Sequence, residues 1–313
     1  MNTPRGTDLV VGLDIGGTKT LGVLLGHDDA ILGSVRRSTI SGVRGVVRTA
    51  ADAVRALTDG AGTDPGTLRG VGIGVPGIVD PATGTVAHAV NLGFPGERTP
   101  LARLLSVELG GVPVKVENDL NVAALGAAHA VGASADLAFL ALGTGLAAGL
   151  LLGGRLRRGA CGAAGEIGHL PFMADGPVCA CGQRGCLEMY ASGASLDTRW
   201  PTAGGVPAPA ALFAAAAAGD PAAVALRDEF ARAVAAAIRI LVLTTDVARV
   251  VLGGGGSEIG EPLRDAVVRA LDAQAATSGF LASLKIGERV SLTPPGVPVA
   301  AIGAALLGRE SAG

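Results

Sequence analysis

The sequence predicts an α/β protein built in two lobes, and three observations carry that prediction. Apolar strand-like runs alternate with helical periods along the chain. A glycine turn follows directly after a strand in each half. With 313 residues, 49% of them hydrophobic, the chain exceeds the size at which a single core usually keeps growing.

Leu9 to Asp14 is a short apolar run of the buried-strand kind, and it empties into the turn of Gly16-Gly17. Strands are expected at Leu21 to Leu25 and Ala30 to Arg36, joined by a hairpin loop over Gly26-His27-Asp28-Asp29. Apolar residues at Val43, Val46, Val47, Ala50, Ala51, Val54 and Leu57 follow a helical period, so a helix should cover one face of this sheet. Leu68 to Val75 and Val112 to Glu117 are further strands, separated by a Pro/Gly-rich crossover, and a helix follows from about Asn121 to Val131.

In the second half, strands at Leu137 to Leu142 and Leu146 to Leu152 flank the turn Gly143-Thr144-Gly145. Leu137 to Gly154 has no charged residue, but its five glycines argue for two buried strands over a membrane helix. Asp220-Pro221 is an N-cap followed by proline in the first helical turn, opening a long Ala-rich helix to about Leu243. Arg249 to Leu252 is a strand that ends in Gly253 to Gly256, and a helix begins near Glu261.

A formal net charge of −2 without a basic block leaves no electrostatic footprint for nucleic acid, and small polar substrates fit better. The first residues lack a basic segment, an apolar stretch and a cleavage site, which points to a cytoplasmic protein.

Backbone N–H groups hold phosphate best where glycine lets the chain approach the oxygens, and three turns here offer that. Asp14, Gly16, Gly17, Thr18 and Lys19 combine such a turn with a hydroxyl, a cation and a carboxylate able to orient Mg²⁺. Thr144 and Gly145 repeat the glycine and hydroxyl theme. Gly254 and Gly255, between a strand and a helix, are placed to admit a flat adenosine group. Three turns of this kind point to a nucleotide.

His169, Cys179, Cys181 and Cys186 supply one imidazole and three thiols, a ligand set suited to tetrahedral Zn²⁺, and glycines at 182 and 185 let the loop fold round one ion. With no coordination position left open, the metal is expected to be structural. Fixing this loop would also place Glu166 and Glu188, both strong acceptors for sugar hydroxyls, and His169 has a second ring nitrogen to offer. Cys161 lies outside the cluster and is expected to be a small buried residue.

Taken together the motifs resemble the ROK family (repressors, open reading frames, kinases), in particular its bacterial glucokinases. The stretches that carry the resemblance are LDIGGTKT (Leu13 to Thr20), GIGVPGIVD (Gly72 to Asp80), VENDLNVAALGAA (Val116 to Ala128), LGTG (Leu142 to Gly145), GAAGEIGH (Gly162 to His169), CACGQRGCLE (Cys179 to Glu188) and VVLGGGG (Val250 to Gly256). They cover nearly the whole chain in the family's order.

The resemblance implies an actin-like, ribonuclease-H-like ATPase fold of two lobes with a structural zinc loop. Its small lobe would be 1–118, joined by a C-terminal helix at about 300–313. Its large lobe would be 119–299, with the zinc loop at 169–186. It implies a kinase that uses ATP with Mg²⁺ on a hexose, glucose first, with a homodimer or higher homo-oligomer as the assembly. N-acetylmannosamine, N-acetylglucosamine, mannose, fructose and allose remain alternative sugars, and a non-catalytic sugar sensor or regulator of the same family is the rival class.

By position, the resemblance makes Asp119 the expected catalytic base, with Asn118 beside it, at a strand end facing a cleft. Glu166, His169 and Glu188 fall on the sugar ligands, and Gly77 and Asn91 line the sugar site. Two departures stand out. Leu146-Ala147-Ala148-Gly149 replaces a more glycine-rich stretch, and Cys161 stands where histidine is common. Only thirteen residues precede Asp14, too few for the helix-turn-helix module of the family's repressors.

Overall fold

A computed structural model of the chain describes residues 8–94, 96, 98–133, 136–202 and 205–310. Residues 1–7, on which the expectation of a leaderless start rests, and 311–313 of the C-terminal helix expected at 300–313 lie outside them. The chain forms two compact units. One runs to Gly132 and resumes at Pro298, and the other covers Ala133–Val297.

The first unit is a five-stranded sheet with helices on both faces. β1 (Val10–Ile15) pairs antiparallel with β2 (Lys19–Leu25), and β2 antiparallel with β3 (Ile31–Ser38). After α1 (Val43–Gly60) the chain returns as β4 (Gly70–Val75), parallel to β1. The hairpin of β5 (Ile78–Asp80) and β6 (Thr85–Ala87) and then α2 (Leu101–Glu108) lead to β7 (Val114–Asn118), which is parallel to β4 and is followed at once by α3 (Asp119–Ala130).

Period-two alternation sorts the strands' side chains. Val11, Leu13, Ile15, Val71, Ile73 and Val75 are buried in one core with α1 and α2. Gly12, Gly72 and Gly74 occupy the alternate positions. A Cβ on Gly12 or Gly72 would overlap the backbone of the C-terminal helix (Val299–Arg309), and one on Gly74 would overlap Val122 of α3. Gly126 of α3 and Gly303 of the C-terminal helix are equally close, each leaving no room for a Cβ on the other's backbone. This face of the sheet is glycine so that two helices can lie directly against it.

The division expected at 118/119 is therefore displaced to 132/133. Helix α3 packs on the C-terminal helix and on β4, so it is held in the first unit.

The second unit repeats the connectivity. β8 (Leu137–Leu142) and β9 (Leu146–Leu152) are antiparallel across the Gly143-Thr144-Gly145 turn, and β10 (Arg155–Leu156) extends that edge. Short helices α4 (Glu188–Ala191), α5 (Gly193–Arg199) and α6 (Ala208–Ala217) precede the long α7 (Pro221–Thr245). Asp220 caps α7 by accepting from the Ala222 and Ala223 amides at 2.8 and 2.9 Å. β11 (Arg249–Gly253) is parallel to β8. After α8 (Glu261–Ala275) and α9 (Gly279–Ser283), β12 (Val290–Leu292) is parallel to β11.

Both sheets thus share one order, β3-β2-β1-β4-β7 and β10-β9-β8-β11-β12, with two antiparallel pairings followed by two parallel ones. In each, the parallel strands end beside a glycine turn. No helix among the described residues is long and apolar enough to cross a membrane.

Candidate active site

In open α/β sheets, ligands gather at the carboxyl ends of parallel strands. In the first unit the register aligns Asp14 of β1 with Gly74 of β4, and Val75 of β4 with Asn118 of β7. Asp14, the Pro76-Gly77 turn and Asn118-Asp119 therefore share one edge. Asp119 is the first residue of α3 rather than the last of a strand, which corrects the expected strand-end position. Asn118 is the N-cap: its Oδ1 accepts from the Leu120 amide at 3.0 Å while its Nδ2 donates to the Gly77 carbonyl at 3.3 Å.

Asp119 Oδ1 also accepts from the Leu120 amide, at 2.9 Å. Burial nevertheless raises the Asp119 carboxyl above its ordinary value, against the pull of the Leu120 amide and its own. Asp14 is pushed up to about 6, first by burial and then by the charge of Asp119, with Lys19 opposing both. Asp14 thus feels a second carboxylate and a lysine, each from a different element.

The Gly16-Gly17 turn closes through the Gly16 amide on the Lys19 carbonyl at 2.9 Å, and the Thr18 carbonyl accepts from the Thr39 amide at 3.1 Å. Thr18 and Lys19 are exposed. A Cβ on Gly17 would come 2.7 Å from the Asn91 carbonyl oxygen, so that glycine admits the turn carrying Asn91. Gly77, at φ +100°, likewise passes close to the Ala87 carbonyl.

Sequence reasoning missed Glu117 and Asn121. Glu117 is 1% exposed, and its Oε1 accepts from the Asn118 amide and from Asn121 Nδ2, both at 2.9 Å. A carboxylate four residues before an amide, across a strand-to-helix junction, was the available signal.

In the second unit, Glu188 binds the turn expected to hold phosphate. Its Oε2 accepts from the Leu146 amide at 3.1 Å, and a Cβ on Gly145 would overlap the same oxygen. The Gly193 amide donates to the Gly143 carbonyl at 2.7 Å and fixes the turn from the other side, beside the exposed Thr144. Gly254, at φ +79°, lies on the backbone of Leu142, where a Cβ would come within 2.9 Å of the carbonyl group and clash, whereas Gly255 faces open space. The second and third glycine turns are therefore neighbours at the ends of β8 and β11.

The segment Gly165–His169 lies on β9, where a Cβ on Gly165 or Gly168 would overlap the carbonyls of Ala148 and Leu146. Ala148 is fully buried beneath it, and its amide donates to the Gly165 carbonyl at 2.8 Å. That methyl group is covered by protein, so at Ala148 the departure from the glycine-rich stretch is a packing feature.

His169, Cys179, Cys181 and Cys186 bring their ligand atoms within 4.8 Å of one another. A tetrahedral ion about 2.3 Å from sulfur sets its ligands about 3.8 Å apart. Cys181 Sγ to Cys186 Sγ and Cys179 Sγ to His169 Nδ1 are both 3.7 Å, so this donor set fits such an ion. Hydrogen bonds from Gln183 hold the Cys181 thiol down to about 6, while burial and the other two thiols push Cys186 up to about 12. The other ring nitrogen of His169 lies 3.9 Å from Glu166 Oε2, and Glu188 Oε1 is 3.7 Å from Cys179 Sγ. Glu166 and Glu188 thus flank the cluster to which His169 belongs. Cys161 is exposed, contrary to expectation, because it sits among Arg158 to Gly162 in a loop that leaves the sheet after β10.

The ROK family model matches residues 10–310. The glucokinase of Streptomyces coelicolor is 37% identical over 190 residues, 60% of this chain and 57% of that protein, so the match spans less than two thirds of that relative. The glucokinase of Halalkalibacterium halodurans is 32% identical over 286 residues, covering 85% of this chain and 86% of its own. Among solved structures, a ROK family glucokinase from Streptomyces griseus in complex with glucose and AMPPNP superposes with a TM-score of 0.74 at 33% identity, covering 96% of this chain and 99% of that one.

Proposed function

Since the chain belongs to the ROK family and has an actin-like ATPase fold, we propose that it is an ATP-dependent hexose kinase, with glucose its first substrate. The observation that carries the reading is the placement of Asp119 at the first turn of α3, buried enough to raise its carboxyl and close enough for its charge to act on Asp14.

Asp119 takes the proton of the sugar hydroxyl, most simply O6, as the hydroxyl oxygen bonds to the γ-phosphorus and ADP leaves. A carboxyl raised by burial is a stronger base than an exposed aspartate. Within the first unit, Asn118, Gly77 and Asn91 are the residues assigned to the sugar; within the second, Glu166, His169 and Glu188 are those suited to accept sugar hydroxyls. Gly16, Gly17, Thr18 and Lys19 are the phosphate-binding turn of the first unit; Thr144 and Gly145 are that of the second, where Gly254 and Gly255 take the adenosine. Mg²⁺ bound with ATP would neutralise phosphate charge, with Asp14 as the residue that holds it or a water on it.

The His169, Cys179, Cys181 and Cys186 donors hold a structural Zn²⁺ in this reading, and the metal keeps Glu166 and Glu188 at their posts. Sugar-dependent ADP release, measured over a panel of glucose, mannose, fructose, allose, N-acetylglucosamine and N-acetylmannosamine, tests the function. Release with glucose foremost is expected. A panel in which no sugar releases ADP would overturn the kinase reading.

A further inference from the structure

The molecule carries an apolar groove of about 640 Å³ between α1 and α2, outside every residue assigned above. Its floor is Val43 and Val47, one helical turn apart on α1, and Leu104 and Val107 on α2. Val107 is 74% exposed, unusual for a valine on a helix whose buried side is made by Leu101 and Leu105. Arginines flank this floor. Arg44 and Arg48 repeat the one-turn spacing on α1, and Arg103 flanks Leu104 on α2.

The charges do not balance within the groove. Arg55 is paired with Glu108 at 3.0 Å and with Asp52 at 3.6 Å, and Arg48 reaches Asp52 at 3.9 Å. Arg44 and Arg103 have no acidic partner among the described residues, and both are exposed. An apolar floor with unmatched cations on both banks fits an amphipathic helix whose apolar face is bordered by carboxylates. A phosphate polymer would satisfy the arginines but leave the valines and the leucine wet.

We propose that the α1–α2 groove is a docking site for an acidic amphipathic helix of a partner protein. A partner there is coupled to the sugar site. The Gly42 amide, at the start of α1, donates to the Leu92 carbonyl at 2.8 Å, and a Cβ on Gly93 would meet Ser41 Oγ at 2.7 Å. Asn91, in the same turn, abuts Gly17. Displacement of α1 therefore reaches both through one short contact chain. The coupling, unlike the docking, rests on the reading of Asn91 as a sugar contact.

The test uses a labelled peptide about 15 residues long, with leucine at helical spacing and glutamate elsewhere, beside the same peptide with lysine for glutamate. Fluorescence anisotropy on the full chain should show saturable binding of the glutamate peptide, at least about tenfold tighter than the lysine peptide. The Arg103→Glu/Val107→Asp double variant should weaken it about tenfold or more. Arg44→Glu, on the other helix, serves as a second variant should the double one misfold, and it should weaken binding in the same direction. Equal binding of both peptides, no saturable binding, or binding indifferent to both variants would overturn the proposal. So would a wild-type dimer that Val107→Asp splits, since the groove would then seat a second copy. A glucose titration with and without saturating peptide should shift the sugar affinity, and an unchanged affinity overturns the coupling. If no hexose binds the chain at all, the kinase reading fails while the peptide titration, which needs no sugar, still decides the docking.

Discussion

Glu188 and Leu146 are joined by a hydrogen bond of 3.1 Å from amide to carboxylate, and Gly145 has no Cβ because that carboxylate oxygen occupies its place. One glutamate thus spans the glycine turn and, through Cys179 at 3.7 Å, the thiol cluster. Gly145→Ala should displace the carboxylate from the turn and raise KM for both sugar and ATP. A fall in kcat/KM of about tenfold or more is expected, which corresponds to about 1.4 kcal/mol. Steady-state kinetics on the variant check this, and wild-type constants for both substrates would contradict it.

Helix packing makes a second prediction. Gly303 approaches α3 so closely that a Cβ would overlap the Val122 carbonyl, and Gly126 meets Val299 in the same way. Backbone has little freedom to yield, so Gly303→Ala or Gly126→Ala should cost about 2–4 kcal/mol. Denaturant unfolding measures it, with a loss under about 0.5 kcal/mol counting against the packing.

The fold was legible where period and punctuation agree. β8 and β9 coincide with the residues expected from the apolar runs, and α1, the Asp220 cap of α7 and the turn after β11 follow their signals. The glycines of β1, β4 and α3 were not legible in this way. Gly12, Gly72 and Gly126 are required by contact with a helix that begins only at Val299, and local sequence cannot express that. The hairpin of β5 and β6 and the short helices α4 and α5 were hidden for the opposite reason, being too short to show a period, and α6, apolar at nearly every position, shows none. At the site, spacing sufficed for the thiol cluster because its ligands are near in sequence. The role of Glu117 needed the geometry of the β7–α3 junction, and Cys161 was misplaced because burial of a lone cysteine depends on what surrounds it.

Metal removal is the third test. If the four donors hold zinc, a chelator should release about one ion per chain and lower the unfolding midpoint, because a closed structural site contributes folding energy directly. Cys186→Ser should do the same without chelator. Metal analysis and thermal unfolding read both, and a zinc-free protein of unchanged midpoint and sugar affinity would refute the structural assignment.

The fourth prediction concerns pH. Asp14 titrates at about 6 in the folded chain against an ordinary 3.8, so the native state binds its proton more tightly than the unfolded chain does. Ionised Asp14 therefore costs stability above about pH 6, and the cost is relieved as pH falls from about 6 towards 4. Asp14→Asn should be more stable than wild type at pH 8, by about 1–3 kcal/mol, with the gain gone near pH 4. Equal stability of the two proteins at both pH values would contradict it. Wild-type kcat/KM should decline as the pH falls through about 6, since Asp14 and the base must be ionised.

The most direct measurement is kcat of Asp119→Asn on the best sugar of the panel, paired with sugar binding by calorimetry. A loss of kcat of about 10²–10⁴-fold is expected, with sugar affinity within a few fold of wild type, since asparagine keeps the shape and loses the base. A variant that turns over at close to the wild-type rate would contradict it.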